Sequence, residues 1–194
     1  MAPTPQSLAG AGPYRWADFL ALDDDDRREL VDGYFTETDV PTLLHEWIIS
    51  TLMLHLGNWA RERRAGIVIG SGYKVKVTDR RGVMPDIQFF RAGRKLPDLA
   101  LEQGAPDLAV EVVSPSSGRH DRVTKLNWYA AIGVPEYWIV DPSQQVLERL
   151  LLEPGKGYRV AGSGGGDDVF APDTFQGLEI ALAQLWTIPG QGEG

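Results

Sequence analysis

The amino-acid sequence predicts an α/β fold, a mixed β-sheet flanked by helices, on three observations. Between Pro41 and Ala65 the apolar residues Leu44, Trp47, Ile48, Leu52, Leu56 and Trp59 recur at helical spacing. Two near-continuous apolar runs, Asp107 to Val113 and Glu136 to Asp141, have the composition of strands buried inside a sheet. A second helical segment, Asp121 to Ile132, separates those runs, so they form a strand–helix–strand unit with parallel strands and a right-handed crossover.

The remaining elements follow along the chain. Tyr14 to Leu22 reads as a short helix packing through Trp16, Phe19 and Leu20. Arg28 to Val31 and Tyr34 to Thr36 flank Asp32-Gly33, a hairpin signal. Pro41 suits the first turn of the long helix and Gly66 its stop. Ile67 to Val77 reads as one strand with a bulge or close backbone approach at Gly70 and Gly72. Asp79 to Gly82 is a turn, Pro85 to Phe90 a strand, and Pro97 to Pro106 a loop. Gly133 ends the second helix. Gln145 to Leu152 and Tyr158 to Ala161 form a closing hairpin turned at Pro154-Gly155, followed by a loop from Gly162 to Gly166 and a last helical turn from Leu182 to Trp186. Residues 1–13 and 189–194 are expected to be disordered tails around a single domain, 14–188.

Composition narrows the function classes. Hydrophobic residues make up 43% and charged residues 24%, the balance of a water-soluble globular chain. No apolar run approaches the roughly 20 residues of a membrane span. The N-terminus lacks the basic start and apolar stretch of a signal peptide, so a cytoplasmic protein is expected. With no cysteine, disulfides, zinc-thiolate sites and a cysteine nucleophile are excluded. The net charge of −8 counts against a broad nucleic-acid-binding surface. It leaves room for a nuclease, because a bound cation can supply positive charge to a phosphate locally. The run Asp23 to Asp26 reads as a solvated loop.

Four residues carry the candidate chemistry. Strand alternation sets Asp86, Gln88 and Phe90 on one face and Ile87 and Phe89 on the other. Asp86 could equally cap a turn. Glu111 shares a face with Asp107, Ala109 and Val113, and a carboxylate within Leu-Ala-Val-Glu-Val-Val is costly unless it is paired or binds metal. Its structural alternative is a salt bridge to an arginine. Lys125 lies four residues before Tyr129 on one helical face, just after the break Ser114 to Gly118 at the carboxyl end of a central strand, where α/β sheets place sites. It also lies four residues after Asp121, so an exposed ion pair is the alternative. Glu29 sits in an apolar strand before the hairpin turn and is either a site residue or an edge charge. His45 could face the acidic residues. His55, ten residues on, is expected to be structural.

Together these residues resemble a known pattern. Pro85-Asp86 followed by Glu111-Val112-Val113 is similar to the PD-(D/E)XK nuclease superfamily. The wider string resembles the bacterial Uma-two family of restriction-endonuclease-like proteins, from about Trp16 to Trp186. It comprises Glu29 to Gly33, His45, Pro85 to Ile87, Pro106 to Ser116, Lys125 with Tyr129, and Gly133 to Pro142. The lysine expected two residues after the glutamate is Val113 here, and the resemblance implies that Lys125 takes its place. It further implies a restriction-endonuclease-like fold, Asp86 and Glu111 as ligands of Mg²⁺ or Mn²⁺, Glu29 completing the acidic cluster, and DNA as the substrate of an endonuclease. Strand alternation alone sets Gln88 to line the site. A catalytically inactive nuclease-fold protein acting as a binding module is the second reading, and a two-carboxylate glycosidase the third. A homodimer is expected, with the Gln145 to Ala161 hairpin as an edge.

Overall fold

The computed structural model describes residues 12–23, 26–37, 40–114 and 120–191. Residues 1–11 and 192–194 of the expected tails, two residues of the acidic run, and residues 115–119 at the strand-to-helix break lie outside that set. The helices are α1 (Trp16–Leu20), α2 (Leu43–Arg63), α3 (Leu126–Ile132) and α4 (Ala183–Trp186). The strands are β1 (Glu29–Val31), β2 (Tyr34–Thr36), β3 (Gly66–Gly70), β4 (Lys74–Thr78), β5 (Arg81–Val83), β6 (Ile87–Arg91), β7 (Ala100–Leu101), β8 (Leu108–Val112), β9 (Glu136–Asp141), β10 (Val146–Glu153), β11 (Gly157–Gly165), β12 (Val169–Phe170) and β13 (Ile180–Ala181).

A six-stranded mixed sheet, in the order β11-β10-β9-β8-β6-β3, forms the centre. Its middle strand β8 is buried along its whole length, as its apolar composition demands. It pairs antiparallel with β6 and parallel with β9, so the strand–helix–strand unit has the expected strand direction. A five-stranded sheet, β2-β1-β5-β4-β7, packs against one face across Val75, Val83, Phe90, Ala109 and Tyr129. The other face buries Ile87, Phe89, Val110 and Val112 under α2, through Ile48, Leu52 and Leu56. Ile87 and Phe89 thus oppose Phe90 across the sheet, as alternation requires. Among the described residues, no helix is long and apolar enough to cross a membrane.

Several boundaries differ from expectation. Helix α2 starts behind Thr42, whose side chain accepts the His45 amide, so Pro41 lies ahead of the helix. It stops at Arg64 in the left-handed region (φ 52°), not at Gly66. The run from Ile67 to Val77 is two strands in two sheets, because Gly72 at φ 103° turns the chain between β3 and β4. The segment Asp79 to Gly82 is not wholly a turn: β5 begins at Arg81 and pairs with β4. The 97–106 loop contains β7, paired parallel with β4. Gly162 to Gly165 is not a loop but the end of edge strand β11, paired with β10 through Gly165 opposite Val146. Asp26 is no solvated charge: it is half-buried and accepts hydrogen bonds from Nε and Nη2 of the Arg28 side chain.

Candidate active site

Glu111 is carried by the most buried strand and is itself only 3% exposed. Both its oxygens are engaged. Oε2 accepts from Lys125 Nζ at 3.0 Å, and Oε1 accepts a short hydrogen bond from the Tyr129 hydroxyl. The four-residue spacing of Lys125 and Tyr129 puts both on the helix side facing β8. Lys125 closes a π-helical segment, His120–Lys125, that leads into α3, a widened backbone geometry that recurs at functional sites. The Lys125 ammonium also lies 3.1 Å from Glu29 Oε1, so it bridges the two carboxylates. Lys125 is 6% exposed, which rules out the exposed intrahelical pair as its main environment.

Glu29 is likewise buried, at 3%, rather than an edge charge. It comes from β1 of the five-stranded sheet and accepts the Met84 amide at 3.4 Å. The site therefore sits between the two sheets, with Lys125 joining them.

Asp86 precedes β6. The register Ile87 opposite Val110 sets Asp86, one residue further along, level with Glu111. Its Oδ2 accepts the Val112 amide at 2.8 Å and so prolongs the ladder beyond the strand. His45 closes the other side: its Nε2 lies 3.1 Å from the Val112 carbonyl and 3.7 Å from Asp86 Oδ2. Its Nδ1 is buried without a hydrogen-bond partner among the described residues. Gln88, fully buried, donates to the Tyr73 carbonyl at 2.8 Å, one side-chain step behind Glu111's level on the same face. Val113, where a lysine was the expectation of the superfamily pattern, packs in the apolar cluster on Glu111's face. His55 holds Gln184 at 3.0 Å and is structural.

Burial pushes the Tyr129 phenol pKa well above its ordinary value, and the Glu111 charge adds to the shift. At neutral pH Tyr129 is therefore a hydrogen-bond donor to a carboxylate. Counted formally, three carboxylates and one ammonium give these four side chains a charge of −2. Carboxylate oxygen donors suit a hard divalent cation. Among the described residues no three His, Asp or Glu side chains gather as a ready-made metal cage. Mg²⁺ does not require one, since it keeps several waters and is held through one or two carboxylates.

Sequence reasoning did not find a further ion cluster at the same end of the sheet. There Arg122 donates to Asp141 at 3.1 Å and to Glu148. Its partners lie 19 and 26 residues away, beyond any local spacing signal.

No protein of curated function matches this chain. Among solved structures, one similar fold is the crystal structure titled "a putative nuclease belonging to DUF820" from Anabaena variabilis ATCC 29413. It is 19% identical, covering 90% of this chain and 98% of that one, with a TM-score of 0.72. At that identity the likeness speaks for the fold alone. The family model described as "Putative restriction endonuclease" matches residues 16–183. The chain belongs to that family, Uma2.

Proposed function

We propose that the protein is a divalent-metal-dependent endonuclease that hydrolyses phosphodiester bonds in DNA at the cluster of Glu29, Asp86, Glu111 and Lys125. The observation that carries this reading is the buried pair Glu29 and Glu111 around the Lys125 ammonium, with half-buried Asp86 level with Glu111 on the neighbouring strand. Asp86 and Glu111 are the residues that would hold Mg²⁺ or Mn²⁺. Such a cation supplies a water of lowered pKa and neutralises charge on the phosphate. Lys125 contributes a fixed positive charge where negative charge develops on the phosphate oxygens. Glu29 positions that ammonium from the opposite sheet, and Tyr129 holds Glu111 by its hydroxyl. His45 fixes Asp86 and the end of β8.

Plasmid nicking combined with calorimetric titration of Mg²⁺ and Mn²⁺ tests the reading. Wild type is expected to nick and to bind metal. Glu111→Gln should lose both, and Lys125→Met should lose nicking while retaining metal. Equal nicking by wild type and Lys125→Met would overturn the role of Lys125.

A non-catalytic binding module is favoured by one observation: the Lys125 ammonium stands between Glu29 and Glu111, where a cation would otherwise sit. Metal titrations of wild type that release no heat, with no nicking of any nucleic acid, would select it. We further propose a nucleic-acid partner, a cytoplasmic location and a homodimer joined along β11, an edge strand of the six-stranded sheet. Light scattering that gives a monomer mass would remove the dimer.

A further inference from the structure

The chain carries 19 lysines and arginines against 27 acidic residues. Six of those cations crowd into two short stretches: Arg61, Arg63 and Arg64, then Arg91, Arg94 and Lys95. The fold brings the stretches together. A cleft of about 240 Å³ opens where the last turn of α2 meets the end of β6, and Arg61, Arg64, Arg91 and Arg94 line it beside Ile67 and Phe90.

Among the described residues, one carboxylate answers these four guanidiniums. Asp107 lies 3.6 Å from Arg91 Nε and 3.1 Å from Arg94 Nη1. The neighbouring Glu62 is 3.4 Å from Arg63, a residue outside the cleft lining that lies over the Trp59 ring. The cleft therefore has a formal charge of +3 within a protein of net charge −8. The carbonyl end of α2 offers only about half a negative charge to offset it. Arg94 is also held in place: it donates to the Ala105 carbonyl at 2.6 Å and stacks over Phe90 at 5.3 Å. An ordered guanidinium flanked by further guanidiniums is suited to bidentate contact with phosphate oxygens.

The cleft lies at the opposite end of β6 from Asp86, about 17 Å away by strand rise. It is thus separate from the acidic cluster. We propose that this arginine cleft is a phosphate-binding site that takes the backbone of a nucleic acid, independently of any reaction at Glu111. The inference does not rest on the cleavage reading, because binding at the cleft needs neither metal nor hydrolysis.

The test uses the full chain in EDTA. Fluorescence anisotropy follows a short fluorescein-labelled oligonucleotide, single-stranded and duplex, over a range of salt concentrations. Thermal melting with inorganic pyrophosphate separates a small phosphate ligand from a backbone. Arg61→Glu/Arg64→Glu should weaken oligonucleotide binding roughly tenfold or more and flatten the salt slope by about two contacts. Both positions are exposed, so the variant should keep its fold, which circular dichroism checks. Arg61→Ala should give a smaller loss in the same direction. Lys156→Glu/Arg159→Glu, an equal charge change on the hairpin, should leave the salt slope unchanged. If pyrophosphate raises the melting temperature of wild type but not of the arginine variant, and no oligonucleotide binds, the site holds but its ligand is a small phosphate compound. Failure of wild type to bind either probe, or equal binding by the arginine variant, overturns the proposal.

Discussion

Tyr129 and Lys125 show how single side chains set the behaviour of the buried cluster. The phenol of Tyr129 is fully buried and its pKa raised, first by burial and then by the Glu111 charge. A raised acid pKa in the folded state favours the protonated form there. Its stabilisation is complete below the unfolded value, near 10, and is lost as pH rises above it. Denaturation followed by circular dichroism, with tyrosinate absorbance in parallel, should show stability falling above about pH 10. Tyr129→Phe should remove part of that dependence and cost about 1.5–3 kcal/mol at neutral pH, the worth of a hydrogen bond to a charged group. Lys125→Ala leaves two buried carboxylates without their shared cation, so urea unfolding without metal should reveal a loss of about 3–5 kcal/mol. An exposed helical ion pair would have cost no more than about 0.5 kcal/mol, so the measurement separates the two environments. The Lys125–Tyr129 face was legible in their four-residue spacing. The Glu29–Lys125 contact was not, because it joins residues from different sheets and no local period reports it.

At the scale of elements, backbone geometry sets sharper limits than propensity. Gly66 opens β3 at φ 154°, and a Cβ there would lie 2.0 Å from the Phe90 carbonyl oxygen of the paired strand. Gly66→Ala must push β3 away from β6, and thermal melting should register a loss of about 1–3 kcal/mol or more. Gly57, exposed to no such contact within α2, provides the contrast: Gly57→Ala should stabilise by about 0.4–1 kcal/mol. Long or strongly patterned elements were readable. Helix α2 has a wide apolar face, and β8 and β9 are apolar runs between clear breaks. Elements defined by pairing were not readable. The two residues of β7 and the glycines of β11 have little strand character of their own, and neighbours supply their hydrogen bonds. The glycines at the β3–β4 junction read as a bulge because a bulge and a sheet-to-sheet turn both use the same residue type.

For the whole molecule, the arrangement of two sheets around Lys125 makes the acidic cluster a product of tertiary assembly. β1 and β2 are only three residues each, whereas β8 is central and wholly buried. Hydrogen exchange should show the β1–β2 amides opening before those of β8 and β9, whose protection should track global unfolding. Uniform protection across both sheets would show instead that they open as one unit.

The order of the cluster along the chain has a consequence during synthesis. When a growing polypeptide has emerged from the ribosome as far as Val110, it displays Glu29 and Asp86 but neither Glu111 nor the lysine that bridges the sheets. Glu111 and Lys125 are added only after Glu29 and Asp86. If the proposed cleavage is the protein's task, a chain that stops before Glu111 is harmless to the messenger and genome around it, and the hazard arrives only once Lys125 has joined the fold.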